Sequence, residues 1–172
     1  ISRLQEKRTI ELGHIFQLGT RYSEMMGANY ITKEGKTQNY YMGCYGIGVS
    51  RTVATIYENS AIQDENGKVV GISLPKEIAP YQVQIIPKVE NEEKQKQANA
   101  LYETLTKKGI DAILDDRQNC TMGAKMKDCK VLGTPFMVVL GDKVEEGFVE
   151  FENTKTGEKE VISEEELIER IK

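Results

Sequence analysis

The sequence predicts a two-part chain, α+β at its start and α/β thereafter. Three observations predict it. From residue 79 onward, short apolar strands alternate with helical periods in the order βαβαβ, then ββα. That order implies a mixed sheet of about five strands with helices on its faces. Before residue 60 the pattern is strands, a hairpin and one helix, without that alternation. Between the two, "AIQDENGKVVGISLPKEIAP" has no strong period and holds Gly67, Gly71, Pro75 and Pro80. It reads as loop and linker, with a domain boundary near residue 78, giving parts 1–78 and 79–172.

Each element has its own signal. Residues 9–20, "TIELGHIFQLGT", alternate imperfectly and read as a strand. Residues 28–32 and 37–42 flank "KEGK" and read as a hairpin. "YYMGCYGIGVSR" is then a strand thinned by Gly43, Gly46 and Gly48. "VSRTVATIYENS" sets Val49, Val53, Ile56 and Tyr57 at helical spacing, predicting a helix with one buried face. In the second part "YQVQIIP" is a strand. "NEEKQKQANALYETLTKKG" is a helix with acids leading, lysines following and Gly109 stopping it. "IDAILDD" is a strand, and "TMGAKMKDCKVLG" a helix closed by Gly133. "PFMVVLG" is continuously apolar, as a strand buried on both faces must be. "GFVEFEN" and "EKEVI" form a hairpin around "TKTG". In the last helix, "SEEELIERIK", Ser163 and Glu166 form a capping box, with Ile162 and Leu167 as its staple.

Composition narrows the function. Hydrophobic residues are 39% and charged residues 29%, enough for a sizeable core. No run approaches the roughly 20 apolar residues that span a bilayer. The start, "ISRLQEKRTIELG", has neither Met nor an apolar signal segment, and suggests a fragment or processed chain. Cys44, Cys120 and Cys129 form no CxxC pair and His14 is the only histidine, which argues against a metal site. Scattered cysteines predict a reducing compartment, the cytoplasm. Net charge is −4, unevenly spread. Residues 1–78 carry 9 Lys+Arg against 8 Asp+Glu; residues 79–172 carry 14 against 19. Bulk charge thus counts against RNA binding by the second part, while a local basic surface stays open.

Two stretches carry chemistry. Gly43, Gly46 and Gly48 mark either a bulged, closely packed strand or a floor of bare backbone on which a flat ring can lie. Arg51, one step into the helix, can stack on such a ring or reach a phosphate. The spacing fits neither a P-loop nor a dinucleotide fingerprint. From Arg117 to Lys130 the cations Arg117, Lys125, Lys127 and Lys130 face one acid, Asp128, a local +3. That run is either a solvated helix face or a nucleic-acid edge.

"ELGHIFQLGTRYSEMMGANY" with "MGCYGIGVSRTVATIYE" closely resembles bacterial-type prolyl-tRNA synthetase, a class II aminoacyl-tRNA synthetase. "GCYGIGVSR" looks like motif 3 of that class. "IAPYQVQIIP", "LYETLTKKGIDAILDDR" and "GAKMKDCKVLGTP" resemble the family's C-terminal anticodon-binding domain. The resemblance implies the end of an antiparallel catalytic sheet followed by an α/β anticodon-binding domain. It implies that Arg51 is the catalytic contact to ATP, with Gly43, Gly46, Gly48, Gln17 and Thr20 around the nucleotide. His14, Phe16 and Cys44 then belong to the proline pocket, Ser23 lies nearby, and Asp116, Arg117, Lys125 and Lys127 meet the tRNA(Pro) anticodon loop. Asp115 instead caps or braces the protein's own loop between that strand and the next helix. By pattern alone His14 and Cys44 read as ordinary buried residues. The family uses ATP with Mg2+ and acts as a homodimer. Motifs 1 and 2 and the editing insertion are not found here, so no activity is expected of these residues alone. Their strands should also leave open edges and apolar surface. The other reading is a freestanding tRNA-binding module, for which Arg51 and its glycines would have no use.

Overall fold

The computed structural model describes residues 4–172. By packing, the chain divides into two compact units, Ile1–Thr55 and Ile56–Lys172.

The first unit is built from two-stranded antiparallel pairs. Strand β1 (Gly13–Gly19) pairs with β4 (Met42–Ile47), and β2 (Asn29–Ile31) with β3 (Thr37–Asn39). Between β1 and β2 lies a short helix, α1 (Arg21–Met26), which the sequence reading did not foresee. It forms because Gly27 ends the turn at φ 65° and the buried Ser23 hydroxyl bonds the carbonyls of Thr20 and Tyr40. Ser23 is therefore a structural brace, not a site-lining group. β4 runs directly into α2 (Val49–Asn59). The division between units falls inside this helix. Its apolar stripe is not buried as the period predicts: Val49 is 72% exposed, and Val53 and Tyr57 are each about half exposed. Ile15, Tyr45 and Ile47 on the β1–β4 ribbon are also exposed. The helical spacing is right, but nothing in these residues covers the stripe.

The second unit opens with a hairpin, β5 (Ala61–Gln63) and β6 (Val69–Ile72), where the sequence reading placed loop. Its turn is held by Asp64, whose carboxylate accepts from the N–H groups of Asn66 and Lys68. Then comes the five-stranded mixed sheet, ordered β11–β10–β9–β7–β8. β7 (Val83–Pro87) runs parallel to β8 (Ala112–Leu114) and β9 (Phe136–Leu140). β10 (Phe148–Asn153) and β11 (Lys159–Ser163) add antiparallel strands.

Alternation along β7 and β9 feeds two cores. Val83, Ile85, Val138 and Leu140 face helices α3 (Glu92–Lys107) and α5 (Glu164–Ile171), meeting Ala98, Leu101, Leu105, Leu167 and Ile171. Ile86, Met137 and Val139 face α4 (Met122–Leu132), meeting Cys129, Met122 and Met126. Burial there pushes the Cys129 thiol up to about 12, so it stays a packed, unreactive group. A strand between two such layers loses both faces to water, hence its unbroken apolar run.

Helix ends follow the sequence signals. Asn91 caps α3 by accepting from the N–H groups of Glu93 and Lys94. Gly109 at φ 75° closes it, with the Ile110 N–H reaching the Leu105 carbonyl and both side chains buried. Ser163 accepts from the Glu166 N–H at 3.1 Å, but the Glu166 carboxylate turns to Arg170. The capping box is thus half made, while Ile162 and Leu167 are both buried as its staple requires.

Two glycines with the same left-handed backbone separate strain from sterics. Gly133, φ 77°, ends α4, and an added Cβ would lie 3.0 Å from Ile72 Cδ1 and Leu74 Cγ. Gly109 has nothing within 4 Å. Gly109→Ala should cost about 1–2 kcal/mol of strain alone. Gly133→Ala should cost about 1–3 kcal/mol more from overpacking. Urea unfolding of the two variants checks this; equal losses would refute it.

Candidate functional site

The β1–β4 register sorts the residues of the first unit by face. Paired residues point to the same side of an antiparallel ribbon, and successive ones alternate. His14 lies opposite Gly46, and Phe16 opposite Cys44, so these four share a face. Gln17 lies opposite Gly43 on the other face, with Ile15 and Tyr45. The three glycines therefore do not line one floor. Gly46 leaves open space where a side chain would stand. At Gly48 an added Cβ would meet the Arg51 side chain at 3.4 Å. At Gly43 it would strike the Tyr45 hydroxyl at 2.8 Å, because that ring folds back over the bare backbone. A ring does lie on glycine here, but it is the chain's own.

Arg51 is exposed, and its Nη1 donates to the Glu11 carbonyl at 2.6 Å. The Gly48 N–H bonds the Leu12 carbonyl at 2.8 Å, so the start of α2 is tied to the entry of β1 by two bonds. His14 is half exposed, not a core residue. Its ring stacks on Phe16 with centroids 4.0 Å apart, and its Nδ1 lies 2.6 Å from Glu11 Oε1. Cys44 is exposed, not the buried small hydrophobe that its pattern suggests. Gln17 is exposed, and the Thr20 hydroxyl donates to the Glu24 carboxylate at 2.6 Å.

The second cluster lies where β8 gives way to α4. Asp115 is buried, and its carboxylate is the hub. It accepts from Arg117 Nε and Nη2 at 2.8 and 2.7 Å, and from Gln84 Nε2 at 3.1 Å. Arg117 Nη2 also donates to Asp128 at 2.8 Å. Lys125 is 1% exposed. Its Nζ donates to the Asp115 carbonyl at 2.8 Å and lies 3.8 Å from Asp115 Oδ1. Arg117's hydrogen bond is the main force holding the Asp115 carboxyl below the usual range; burial works the other way and loses. The same bond raises Arg117 beyond its ordinary value.

The local +3 is therefore largely spent inside the fold. Lys125 is not available to a nucleic acid. Met122, Lys125, Met126 and Cys129 follow helical spacing, so the sequence itself puts Lys125 on the core face. Lys130 pairs with the buried Glu152 at 3.0 Å. Asp116 and Lys127 remain exposed. Beside this cluster a cavity of about 370 Å³ is lined by Gln84, Ile113, Leu114, Asp116, Arg117 and Leu132 among others. Gln84 Oε1 is buried there and, among the described residues, has no hydrogen-bond partner.

This strand–loop–helix edge belongs to a sequence that matches a known family. Residues 82–172, over half the chain, match the family described as "Anticodon binding domain". The chain belongs to the anticodon binding domain family. Residues 3–60 match "tRNA synthetase class II core domain (G, H, P, S and T)". Similar curated proteins include the proline–tRNA ligase of Bacillus cereus, 45% identical over 161 residues, 93% of this chain and 27% of that protein. The proline–tRNA ligase of Aliarcobacter butzleri is 44% identical over 172 residues, 98% of this chain and 29% of that protein. The chain thus spans less than a third of the length of these relatives. Among solved structures, prolyl-tRNA synthetase from Cryptosporidium parvum complexed with halofuginone and AMPPNP has a TM-score of 0.84 at 26% identity, covering 94% of this chain and 33% of that one. The same enzyme complexed with L-proline and AMP scores 0.82 at 27% identity, with the same coverage.

Three residues to which the sequence reading gave no role matter to these clusters. Glu11 touches both His14 and Arg51. Its only signal is its place three residues before the histidine. In the anticodon-binding domain, Gln84 and Asp128 complete the Asp115 hub. Gln84 could have been noticed as the polar residue flanked by apolar ones in "VQIIP". Asp128 follows Arg117 by 11 positions, and its one signal is that it is the single acid among the four cations of that run.

Proposed function

We propose that this chain is the part of a proline–tRNA ligase that completes the ATP site and reads the tRNA. Identity of 44–45% with proline–tRNA ligases along 93–98% of the chain is the observation that carries this reading. The work divides at residue 78, with the adenylate chemistry before it and the anticodon loop after it. In the whole enzyme the carboxylate of L-proline attacks the α-phosphate of ATP in line and displaces pyrophosphate to form prolyl-adenylate, from which the prolyl group passes to tRNA(Pro) with release of AMP. Such a step needs positioned charge more than covalent help.

In this reading Arg51 stacks on adenine near the γ-phosphate. The open space above Gly46 and the planar guanidinium beside Gly48 fit a purine. Gly43, Gln17 and Thr20 support the nucleotide from the rest of the ribbon, Gly43 and Gln17 from its other face. His14, Phe16 and Cys44, which share the face of Gly46, border the proline pocket. Magnesium accompanies ATP and supplies charge to its phosphates. Among the described residues no group of three His, Cys, Asp or Glu could hold a metal, so this chain does not by itself fit such a site and no step is assigned to the ion. The whole enzyme works as a homodimer in the cytoplasm. Among the described residues no helix is long and apolar enough to cross a membrane.

Asp116, Lys127 and Arg117 meet the anticodon loop. Asp116 and Lys127 are exposed, while Arg117 can trade Asp128 for a phosphate and keep Asp115. Lys125 acts from within, by holding the Asp115 carbonyl.

Binding of this chain to tRNA(Pro) and to a transcript with altered second and third anticodon bases tests the proposal. The altered transcript should bind about tenfold weaker or worse, as loss of one to two base contacts implies. Equal affinity would remove the anticodon half of the reading.

A further inference from the structure

Glu11 makes two contacts through different atoms. Its backbone carbonyl accepts from Arg51, 40 residues away, and its carboxylate meets His14 Nδ1. Among the described residues no hydrogen bond reaches His14 Nε2. The imidazole stacks on Phe16 and stands opposite Gly46, whose bare Cα leaves space open beside it. Nε2 is thus the unsatisfied edge of a small patch made of one aromatic ring and bare backbone. The ionisable group in contact with this ring is the Glu11 carboxylate; the Cys44 thiol stands opposite Phe16 on the same face, and the Arg51 guanidinium meets the Glu11 carbonyl.

A carboxylate can only accept, so the proton between Glu11 and His14 sits on Nδ1. In the neutral ring Nε2 is then a lone-pair acceptor. An outward acceptor suits a ligand that carries N–H donors and positive charge. An imidazolium would repel it. The secondary ammonium of proline has two N–H donors and no acceptor.

We propose that Glu11 is a positioning residue. It fixes His14 as the Nδ1–H tautomer, so that Nε2 accepts from the secondary ammonium of the amino-acid substrate, while the Glu11 carbonyl holds Arg51 beside Gly48. This inference rests on the proline and ATP reading above. It adds a residue that links the two half-sites and a chemical reason for the histidine. It also separates the two ends of Glu11: the side chain serves the amino acid, and the backbone serves the nucleotide.

His14 is the only histidine of the chain, so its ring nitrogens give one set of resonances. At about pH 8, above the ordinary histidine range, ¹⁵N chemical shifts should show Nδ1 protonated and Nε2 bare. Glu11→Ala should lose that signature, because an unconstrained ring samples both tautomers. Glu11→Gln should keep it, because the amide oxygen still accepts. In the full-length enzyme, Glu11→Ala should raise the KM for proline about tenfold, as loss of an oriented hydrogen bond to a charged group implies. The KM for ATP should hold, since the backbone carbonyl remains, and Glu11→Gln should restore the proline KM. A protonated Nε2 in the unmodified chain, an Ala variant with unchanged shifts, or proline and ATP KM values that move together would each overturn the proposal. Failure of the underlying reading looks different: Arg51→Ala would then leave ATP use unaffected.

Discussion

Asp115→Ala is expected to lower the unfolding free energy of the chain by about 3–5 kcal/mol, the loss typical of breaking a buried charge pair. The alanine leaves the Lys125 ammonium 1% exposed with only a backbone carbonyl beside it. It also strips Gln84 of its one side-chain hydrogen bond, so that both ends of a buried amide go unpaired. Lys125→Met should cost far less. It keeps the volume, removes the charge, and leaves Asp115 bonded to Arg117 and Gln84. Urea unfolding followed by circular dichroism measures both, and an Asp115→Ala midpoint equal to the parent's would refute the account. The pH dependence follows from sign. The folded Asp115 carboxyl titrates below the unfolded value of about 3.9. Its stabilisation is therefore complete above that value and lost as pH falls through the folded one. Acid should erode the parent's stability below about pH 4, and less steeply in the variant.

Arg51→Ala in the full-length enzyme is expected to reduce proline-dependent ATP–pyrophosphate exchange by about 10²–10³ in kcat/KM, the range for losing one preorganised charge-stabilising donor. Arg51→Lys should recover little, because an ammonium neither stacks as a plane nor donates in a fork. The Glu11 carbonyl makes the effect sharper. It holds the guanidinium at 2.6 Å in the free chain, so the group is oriented before any nucleotide arrives. Exchange within a few-fold of the parent would sink the assignment of Arg51 to ATP.

The second unit was readable in the sequence because each of its signals is local. Gly109 and Gly133 stop helices at the positions where the backbone turns left-handed, and "PFMVVL" is apolar because both faces of β9 are covered. The hairpin at 61–72 was missed although its signal was present. "DENG" is an Asp turn ending in a left-handed Gly67, and it lay hidden because β5 and β6 are too short to show a period. Charge counting failed at Lys125 because a sum over residues ignores the helical phase that turns one lysine inward. The glycine floor failed for a similar reason: three glycines in one strand are not three glycines on one face. The Val49 and Val53 stripe shows the opposite limit. Periodicity reveals that a face is apolar, but only the rest of a fold decides whether anything lies on it.

The β5–β6 hairpin has a practical meaning. Thr154 Oγ1 lies 2.9 Å from Ser73 Oγ, the Leu74 N–H bonds the Gly133 carbonyl, and Gly71 sits so close to Lys130 that a methyl there would come within 2.6 Å of its Cβ. Anyone wishing to excise the second unit for separate study should therefore cut upstream of Ala61. A clone trimmed at the sequence's apparent linker would leave α4 unroofed, with greasy patches and unpaired polar atoms where two short strands had lain.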